Sequence, residues 1–365
     1  MRMVQRDVRA SRPARVALGR FKDNLRSLEK KVPMRVAPNH SDRIDIVYLW
    51  VDGSDAVWQS KRQHAYRAWV ARNPNELAVF GNAAGRFRDN GELLFSLRAL
   101  EKFFPDHGHV YIVTDGQMPH WLQPSQRLTV VDHRALIPPS AGAVFDSGHI
   151  ESYLHRIPGL SERYLYLNDD VFFGAVVDPA WWFGSRLKVF AQSDTVPEFE
   201  CLQPHETALV NASILSKNWM TQRYPQYHHN PRVYSHAPRP MLKSAMLELE
   251  ALAPELFAHV RSTAFRSWRS PPLVSDLVPR WMVHMGYAEQ FILDPLHIST
   301  GDRLAKHQLE TLRGRFGKLP FFCLNDTCDE APDDDPRLLR VTRTLDALLP
   351  EPSTFEHMVE SSQAA

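Results

Sequence analysis

Two adjacent carboxylates and an amide, Asn168-Asp169-Asp170, stand between the apolar runs Tyr164–Leu167 and Val171-Phe172-Phe173. Oxygen donors of this kind suit a hard divalent cation, Mg²⁺ or Mn²⁺, and a diphosphate is the obvious partner for such an ion. A plain turn would use a single Asp or Asn equally well. Three such residues between apolar runs put like charges beside a core, which is costly without a cation. Trp50-Val51-Asp52-Gly53 closes another apolar run. Gly53 permits close backbone approach, and Asp52 is placed to meet a ribose, a base edge or the metal. Arg86-Phe87-Arg88-Asp89-Asn90-Gly91-Glu92 joins two arginines to a helix start. Guanidinium forks and helix N-terminal amides both favour phosphate, although a capped helix with solvated arginines fits the same residues. Asp115 and Asp132 end two further apolar runs. His236 and Arg266 have no spacing that separates them from ordinary structural or exposed side chains. The 17 histidines contain no HExxH pattern, and the Cys323–Cys328 pair has its one remaining cysteine far away, so zinc is not expected. Walker, GxGxxG and GxSxG motifs are absent from the sequence.

The elements that must position these residues alternate. Ile44–Val51 reads as a buried strand stopping at Asp52-Gly53. Asp89-Asn90 then caps a helix with Leu93, Leu97, Leu100 and Phe104 inward, ended by Pro105. His109–Thr114, Leu128–Val131 and Tyr164–Leu167 read as three more strands, each stopping at an acid or amide. Ile150, Tyr153, Leu154 and Ile157 mark one helix face before Pro158-Gly159. Strands alternating with helices predict an α/β fold with a mostly parallel sheet and helical additions. In open sheets of that kind ligands bind beyond the carboxyl ends of the strands, where Asp52, Asp115, Asp132 and Asp169-Asp170 would gather. Regular structure is expected to thin after about residue 180, leaving a helix with Leu242, Ala245, Met246 and Leu249 inward and an apolar segment around Trp281–Tyr287.

Lys+Arg at 43 against Asp+Glu at 42 gives the whole chain no electrostatic case for nucleic acid. Residues 1–40 differ, with eleven Lys/Arg against three acids, a net of +8. They read as a separate basic arm in which Leu18, Phe21, Leu25 and Leu28 repeat at helical spacing. Such an arm can rest peripherally on anionic lipid or phosphorylated polymer, or pack as a solvated helix on its own domain. No stretch approaches the ~20 apolar residues of a membrane span. Charges interrupt the N-terminus too often for a secretory signal. Three cysteines are too few and too odd for a disulfide framework, so a reduced, cytoplasmic compartment is expected. The expected organisation is the arm over 1–40, a catalytic domain over 41–345 and a flexible tail over 346–365.

These segments resemble the Stealth family of capsular and extracellular polysaccharide phosphotransferases, related to the animal enzyme that builds the mannose-6-phosphate tag. Four blocks match in order: Ile44–Asp55 (IDIVYLWVDGSD), Arg86–Gly174 including RFRDNGELLFSLRALEKFFP and RYLYLNDDVFFG, a looser third block from Ser235 to Tyr287, and a short fourth containing Cys323-Leu-Asn-Asp-Thr327. The resemblance implies a nucleotide-sugar-binding sheet of GT-A or Rossmann type. It also implies transfer of hexose- or N-acetylhexosamine-1-phosphate from a UDP-sugar to an acceptor hydroxyl of a polysaccharide or oligosaccharide, releasing UMP. Carried over residue by residue, it implies catalytic roles for Asp52, His236 and Arg266 and metal binding at Asp169 and Asp170. Trp50, Gly53, Arg86, Arg88, Asn90 and Asp115 are the expected donor-binding residues. Asp146-Ser147-Gly148-His149 departs from the family pattern, which bears on the acceptor side. The competing expectations are a metal-dependent glycosyltransferase that releases UDP and a non-catalytic polysaccharide-binding module, for which Trp181-Trp182 would be the aromatic surface.

Overall fold

In Asp45–Leu49 (β1), Ile46, Val47 and Tyr48 are completely buried. A strand hidden on both faces needs a neighbour on each side and cover above and below. In this computed structural model β1 pairs in parallel with Val110–Thr114 (β2) and Arg163–Asn168 (β4). The sheet continues outward to Leu128–Asp132 (β3), parallel to β2, and to Arg239–Leu242 (β8), antiparallel to β4. Its order is β3-β2-β1-β4-β8, the mostly parallel α/β sheet that the alternating pattern predicts. Pro240 sits in β8, an edge strand, where a missing N–H is tolerated. The structure describes residues 43–357 apart from Pro124 and Asp333. The expected basic arm and residues 358–365 lie outside the described residues.

Register decides which side chains share an edge. Leu49 lies opposite both Val113 and Asn168, and Thr114 lies opposite Asp132. The chain therefore leaves β1, β2 and β4 at one level, and Trp50, Asp115 and Asp169 follow at that level.

Two local expectations change. The helix after Arg88 is Glu92–Phe103, and its cap is Gly91 at φ 86°, not Asp89-Asn90. Only glycine takes that backbone region without strain. Asp89 instead accepts the Gly91 N–H at 2.8 Å. The apolar face Ile150–Ile157 is buried as expected, but on two short turns, Ser147–Glu151 and Leu154–Arg156, not one helix. The Ser152 hydroxyl takes the His149 carbonyl (2.7 Å) and Arg261 takes that of Ser152 (2.6 Å), acceptors a continuing helix would use.

The thinning expected after residue 180 is also corrected, because two further three-stranded sheets lie there. Val171–Phe173 (β5) pairs antiparallel with Phe321–Asn325 (β11), which pairs in parallel with Leu296–Ser299 (β10). Leu187–Thr195 (β6) lies between Arg232–Tyr234 (β7) and Ala288–Ile292 (β9). These strands find partners far along the chain, so local periodicity is weak. Phe172 stacks on Phe322 at 4.8 Å, and Trp182 is completely buried among Phe104, Phe173 and Phe321. The tryptophan pair is thus core and core margin, not an aromatic binding face.

The C-terminal boundary moves as well. Pro336–Leu348 is a helix, and the chain beyond it stays anchored to residue 357. Phe355 is fully buried, Glu356 accepts both Arg98 Nε and Nη2 (2.8 and 2.6 Å), and Gln123 N donates to the Phe355 carbonyl. A buried ring and these polar anchors hold a segment that reads as a tail. No helix among the described residues is long and apolar enough to cross a membrane.

Beneath the sheet, His155 is fully buried against Glu250 (Nε2–Oε2 2.8 Å), which also pairs with Arg156 and Arg261. Burial outweighs Glu250 and pushes the His155 pKa down to about 4. The unfolded chain, at ~6.5, then binds more protons between those values, so stability falls as pH drops through that window. Between pH 7 and pH 5 His155 should remove on the order of 2 kcal/mol of unfolding free energy. Urea unfolding of the wild type and His155→Gln at both pH values checks this. An identical pH dependence in the two proteins would exclude His155 as the source.

Candidate active site

The carboxyl edge of the main sheet opens into a cavity of about 430 Å³, within the range of small-ligand sites. Leu49, Trp50 and Val51 from the end of β1, Asp115 after β2 and Asn168-Asp169-Asp170 after β4 line it, as do Arg86, Arg88, Glu92, His236 and Arg266. A second, more open depression of about 540 Å³ is lined by Gln59, Arg62, Tyr66 and Asn82. It holds no paired acids, and Arg62 is bound to Asn82 (2.7 Å).

Asn168-Asp169-Asp170 is the turn by which the chain leaves the five-stranded sheet as β4 and joins another sheet as β5. β11 locks the turn from the other side, since Leu324 N donates to the Asp170 carbonyl (3.0 Å) and Cys323 is paired with Val171. The acids are crowded. Burial first, then Asp170, Glu92 and Asp89, holds the Asp169 carboxyl well above the usual carboxylate range. Burial pushes Glu92 up to about 8, even though it accepts the Asn90 N–H (2.6 Å) and amide (2.8 Å). Burial also raises Asp89, which accepts Trp50 Nε1 at 3.1 Å. Asp170 Oδ1 is buried with no hydrogen-bond partner, 3.8 Å from His236 Nε2. Crowded carboxylates, one of them with a buried oxygen that accepts no hydrogen bond, fit a hard divalent cation.

Opposite them stand two guanidinium groups. Burial, with Arg266 second, pushes Arg86 down to about 9, and its Nε is buried without a partner. Arg266 donates Nη2 to Ser147 Oγ (2.6 Å), while its Nε makes no hydrogen bond and lies 3.6 Å from Asp146 Oδ1. The segment Asp146–His149 thus abuts Arg266, with Asp146 almost fully buried at the start of its short helix. Two like charges held close in a partly dry site favour an anion between them.

Other expected site residues do different work. Arg88 is spent: Nη1 donates to Asp326 Oδ2 (2.6 Å) and the Cys328 carbonyl, and Nη2 to the Ala331 carbonyl (3.0 Å). Asn90 faces Glu92 and Asp326, not the cavity. Gly53 serves the protein rather than a ligand, because a Cβ there would stand 1.9 Å from the Phe87 carbonyl oxygen. Asp52 bonds Ser54 N (2.8 Å) and Oγ (2.6 Å) and is not part of the cavity wall. Asp115 pairs with Lys61 (2.6 Å) at the rim. Trp50 reaches the wall with its indole fixed on Asp89. His236 is engaged at both ring nitrogens, Nε2 with the Asn168 amide (2.9 Å) and Nδ1 with Cys323 Sγ (3.2 Å).

Glu92, Asp89, Cys323 and His297 were missed by sequence reasoning. Glu92 had a usable signal, an acid at the first helical position followed directly by Leu93-Leu94-Phe95. Cys323 and His297 had none, since only the pairing of β10, β11 and β5 brings them beside the turn.

Known proteins share these segments. The family models for Stealth protein conserved region 1 and conserved region 2 match residues 42–65 and 86–191. An exopolysaccharide phosphotransferase of Streptomyces coelicolor is 33% identical over 317 residues, 86% of this chain and 52% of that protein. The exopolysaccharide phosphotransferase CpsY of Mycobacterium tuberculosis (strain ATCC 25618 / H37Rv) is 30% identical over 331 residues, 88% of this chain and 60% of that one. The capsular polysaccharide phosphotransferase fcs1 of Haemophilus influenzae is 28% identical over 314 residues, 84% and 82% of the two chains. The chain spans about half the length of the Streptomyces relative. A crystal structure of the galactosyltransferase LgtC with donor and acceptor sugar analogues overlays 85% of this chain at 10% identity and a TM-score of 0.40, too low to carry weight. The chain thus carries conserved regions 1 and 2 of the Stealth family in order around the cavity, and it is similar to exopolysaccharide phosphotransferases over most of its own length.

Proposed function

We propose that this protein transfers hexose- or N-acetylhexosamine-1-phosphate from a UDP-sugar to a hydroxyl of a polysaccharide or oligosaccharide, forming a phosphodiester of a capsular or extracellular polymer and releasing UMP. One observation carries the reading: a single cavity is lined both by crowded carboxylates, with Asp170 Oδ1 lacking a hydrogen-bond partner, and by two arginines whose Nε donors lack one too. A diphosphate with a divalent counter-ion complements both at once. Asp169 and Asp170, with Glu92 beside them, would hold Mg²⁺ or Mn²⁺. When bound, that ion supplies Lewis-acid neutralisation of the diphosphate.

This chain's own residues do the rest. Arg86 and Arg266 grip non-bridging oxygens of the phosphorus that bears the sugar, where charge accumulates during transfer. The acceptor oxygen bonds to that phosphorus, the bond from the same phosphorus to the bridging oxygen breaks, and UMP leaves. His236 takes the acceptor's proton, and its 31% side-chain exposure leaves a side from which the hydroxyl displaces one ring partner. Trp50 walls the cavity for the nucleotide. Asp52, expected to be catalytic, acts through the turn that sets Trp50 and Gly53. A cytoplasmic location belongs to the same proposal and rests on the three cysteines, while contact of the arm over residues 1–40 with anionic lipid or polymer rests on its net charge of +8.

Donor labelled at the β-phosphorus tests the chemistry. Label should appear in polymer, with unlabelled UMP released. Labelled UDP in solution, with no label in polymer, would instead mean glycosyl transfer and overturn the reading.

The two neighbouring arginines should separate cleanly. Arg86→Met should lower the transfer rate by about 100-fold or more, the scale of one oxyanion-stabilising donor, with little loss of stability. Arg88→Met should cost about 3 kcal/mol in urea unfolding, because it strands the nearly buried Asp326 carboxylate (4% exposed). Equal effects of both variants on both measurements would contradict this division of labour.

A further inference from the structure

Next to the hard-oxygen turn lies a set of softer donors, of which the proposed transfer reaction uses only His236. Cys323 Sγ, in β11, is completely buried. Within reach are His236 Nδ1 at 3.2 Å and Asp170 Oδ2 at 3.4 Å. His297, in β10, adds a ring nitrogen, and one ligand atom each from His236, His297 and Cys323 lies within 4.8 Å of the others. Tetrahedral zinc with Zn–S ~2.3 Å and Zn–N ~2.0–2.1 Å puts its ligand atoms ~3.3–3.6 Å apart. Two of the distances are already near that scale, and only the exposed His297 ring has to swing.

We propose that His236, His297 and Cys323, with Asp170 as fourth ligand, form a second divalent-cation site, selective for zinc-type ions over magnesium. Thiolate and imidazole are borderline-soft donors that Mg²⁺ disfavours. The metal would replace the thiol proton that now points to Asp170, and that proton would leave to solvent.

Neighbouring groups can supply the required tautomer. Tyr166 has one hydroxyl proton and two partners, Glu151 Oε1 at 2.9 Å and the Asn168 amide at 2.7 Å. As placed, Asn168 Oδ1 accepts from Tyr166 and Nδ2 faces His236 Nε2; a flip of that amide, with Tyr166 donating to Glu151 instead, sets the Asn168 nitrogen on Tyr166 and its oxygen on His236 Nε2. His236 then carries its proton on Nε2 and offers the Nδ1 lone pair towards Cys323. No group in the chain is left with two protons or none. The site stands independently of the sugar-phosphate reading. Where both hold, its occupation withdraws His236 from proton transfer.

Cobalt(II) is the spectroscopic probe. Titrated into the purified full chain without nucleotide, Co²⁺ should produce a near-ultraviolet thiolate-to-cobalt band and tetrahedral visible bands, all displaced by Zn²⁺ and not by Mg²⁺. Cys323→Ser should abolish the thiolate band, and His297→Ala should weaken Co²⁺ binding by about tenfold or more, whereas Cys201→Ser should change neither. Absence of the band in the wild type, its survival in Cys323→Ser, or unchanged affinity in His297→Ala overturns the proposal. Should Cys323→Ser fail to fold, the wild-type band and the exposed His297→Ala variant still decide it. Loss of sugar-phosphate transfer plays no part in these outcomes, so this site and the proposed reaction fail separately.

Discussion

Adjacent carboxylates at the end of a buried strand repel each other in a place where water cannot screen them well. The chain keeps Asp169 and Asp170 there by mechanical means. β4 is gripped by β1 on one side and β8 on the other, and β5 is gripped by β11, so the two-residue step between sheets has nowhere to relax. The strain is electrostatic rather than conformational: burial first, and neighbouring carboxylates after it, raise Asp169, Glu92 and Asp89. A protein that spends packing energy to hold acids together has made a site whose free energy drops when positive charge arrives. The cavity, the arginines across it and the hydrogen-bonded His236 are all arranged around that deficit.

Much of the scaffold could be read in advance because each strand announces itself locally. Ile44–Val51, His109–Thr114 and Leu128–Val131 are apolar runs stopped by aspartates, and parallel strands buried on both faces look like that. The edge at which the aspartates gather followed from strand direction alone. What stayed hidden depends on contacts remote in sequence. β5 is three residues long and β11 follows nearly 150 residues later, so neither the second sheet nor Cys323 beside the acidic turn has a local signature. His236 and Arg266 gained meaning only from the family resemblance, for a lone histidine or arginine carries no spacing. The anchored stretch to residue 357 escaped because its holds, the buried Phe355 ring and the Arg98–Glu356 pair, join residues far apart in sequence.

Arg86 and Arg88 show why residue type near a helix start is a poor guide to role. They are two positions apart and chemically identical, yet Arg88 makes three bonds to Asp326, Cys328 and Ala331, while Arg86 keeps a buried Nε without a partner. Arg88 ties the second conserved segment to the loop after β11, thereby fixing Asp326 and indirectly the β11 strand that locks the acidic turn. A charge spent on the fold and one left unspent lie side by side.

Donor softness, finally, divides the site at Asp170. Its Oδ1 lies 3.8 Å from His236 Nε2 and has no hydrogen-bond partner, which leaves it free to turn with Asp169 toward a small, hard ion. Its Oδ2 faces Cys323 Sγ, on the side where His236 and His297 lie, a surrounding that rewards a more polarisable ion. A carboxylate cannot orient fully toward both. Because Asp170 is fixed through its own backbone by Leu324 and Asp169, small rotations of one side chain are what remain to choose between the two surroundings. The ion available, rather than any large movement of the fold, then determines whether His236 is free to receive a proton.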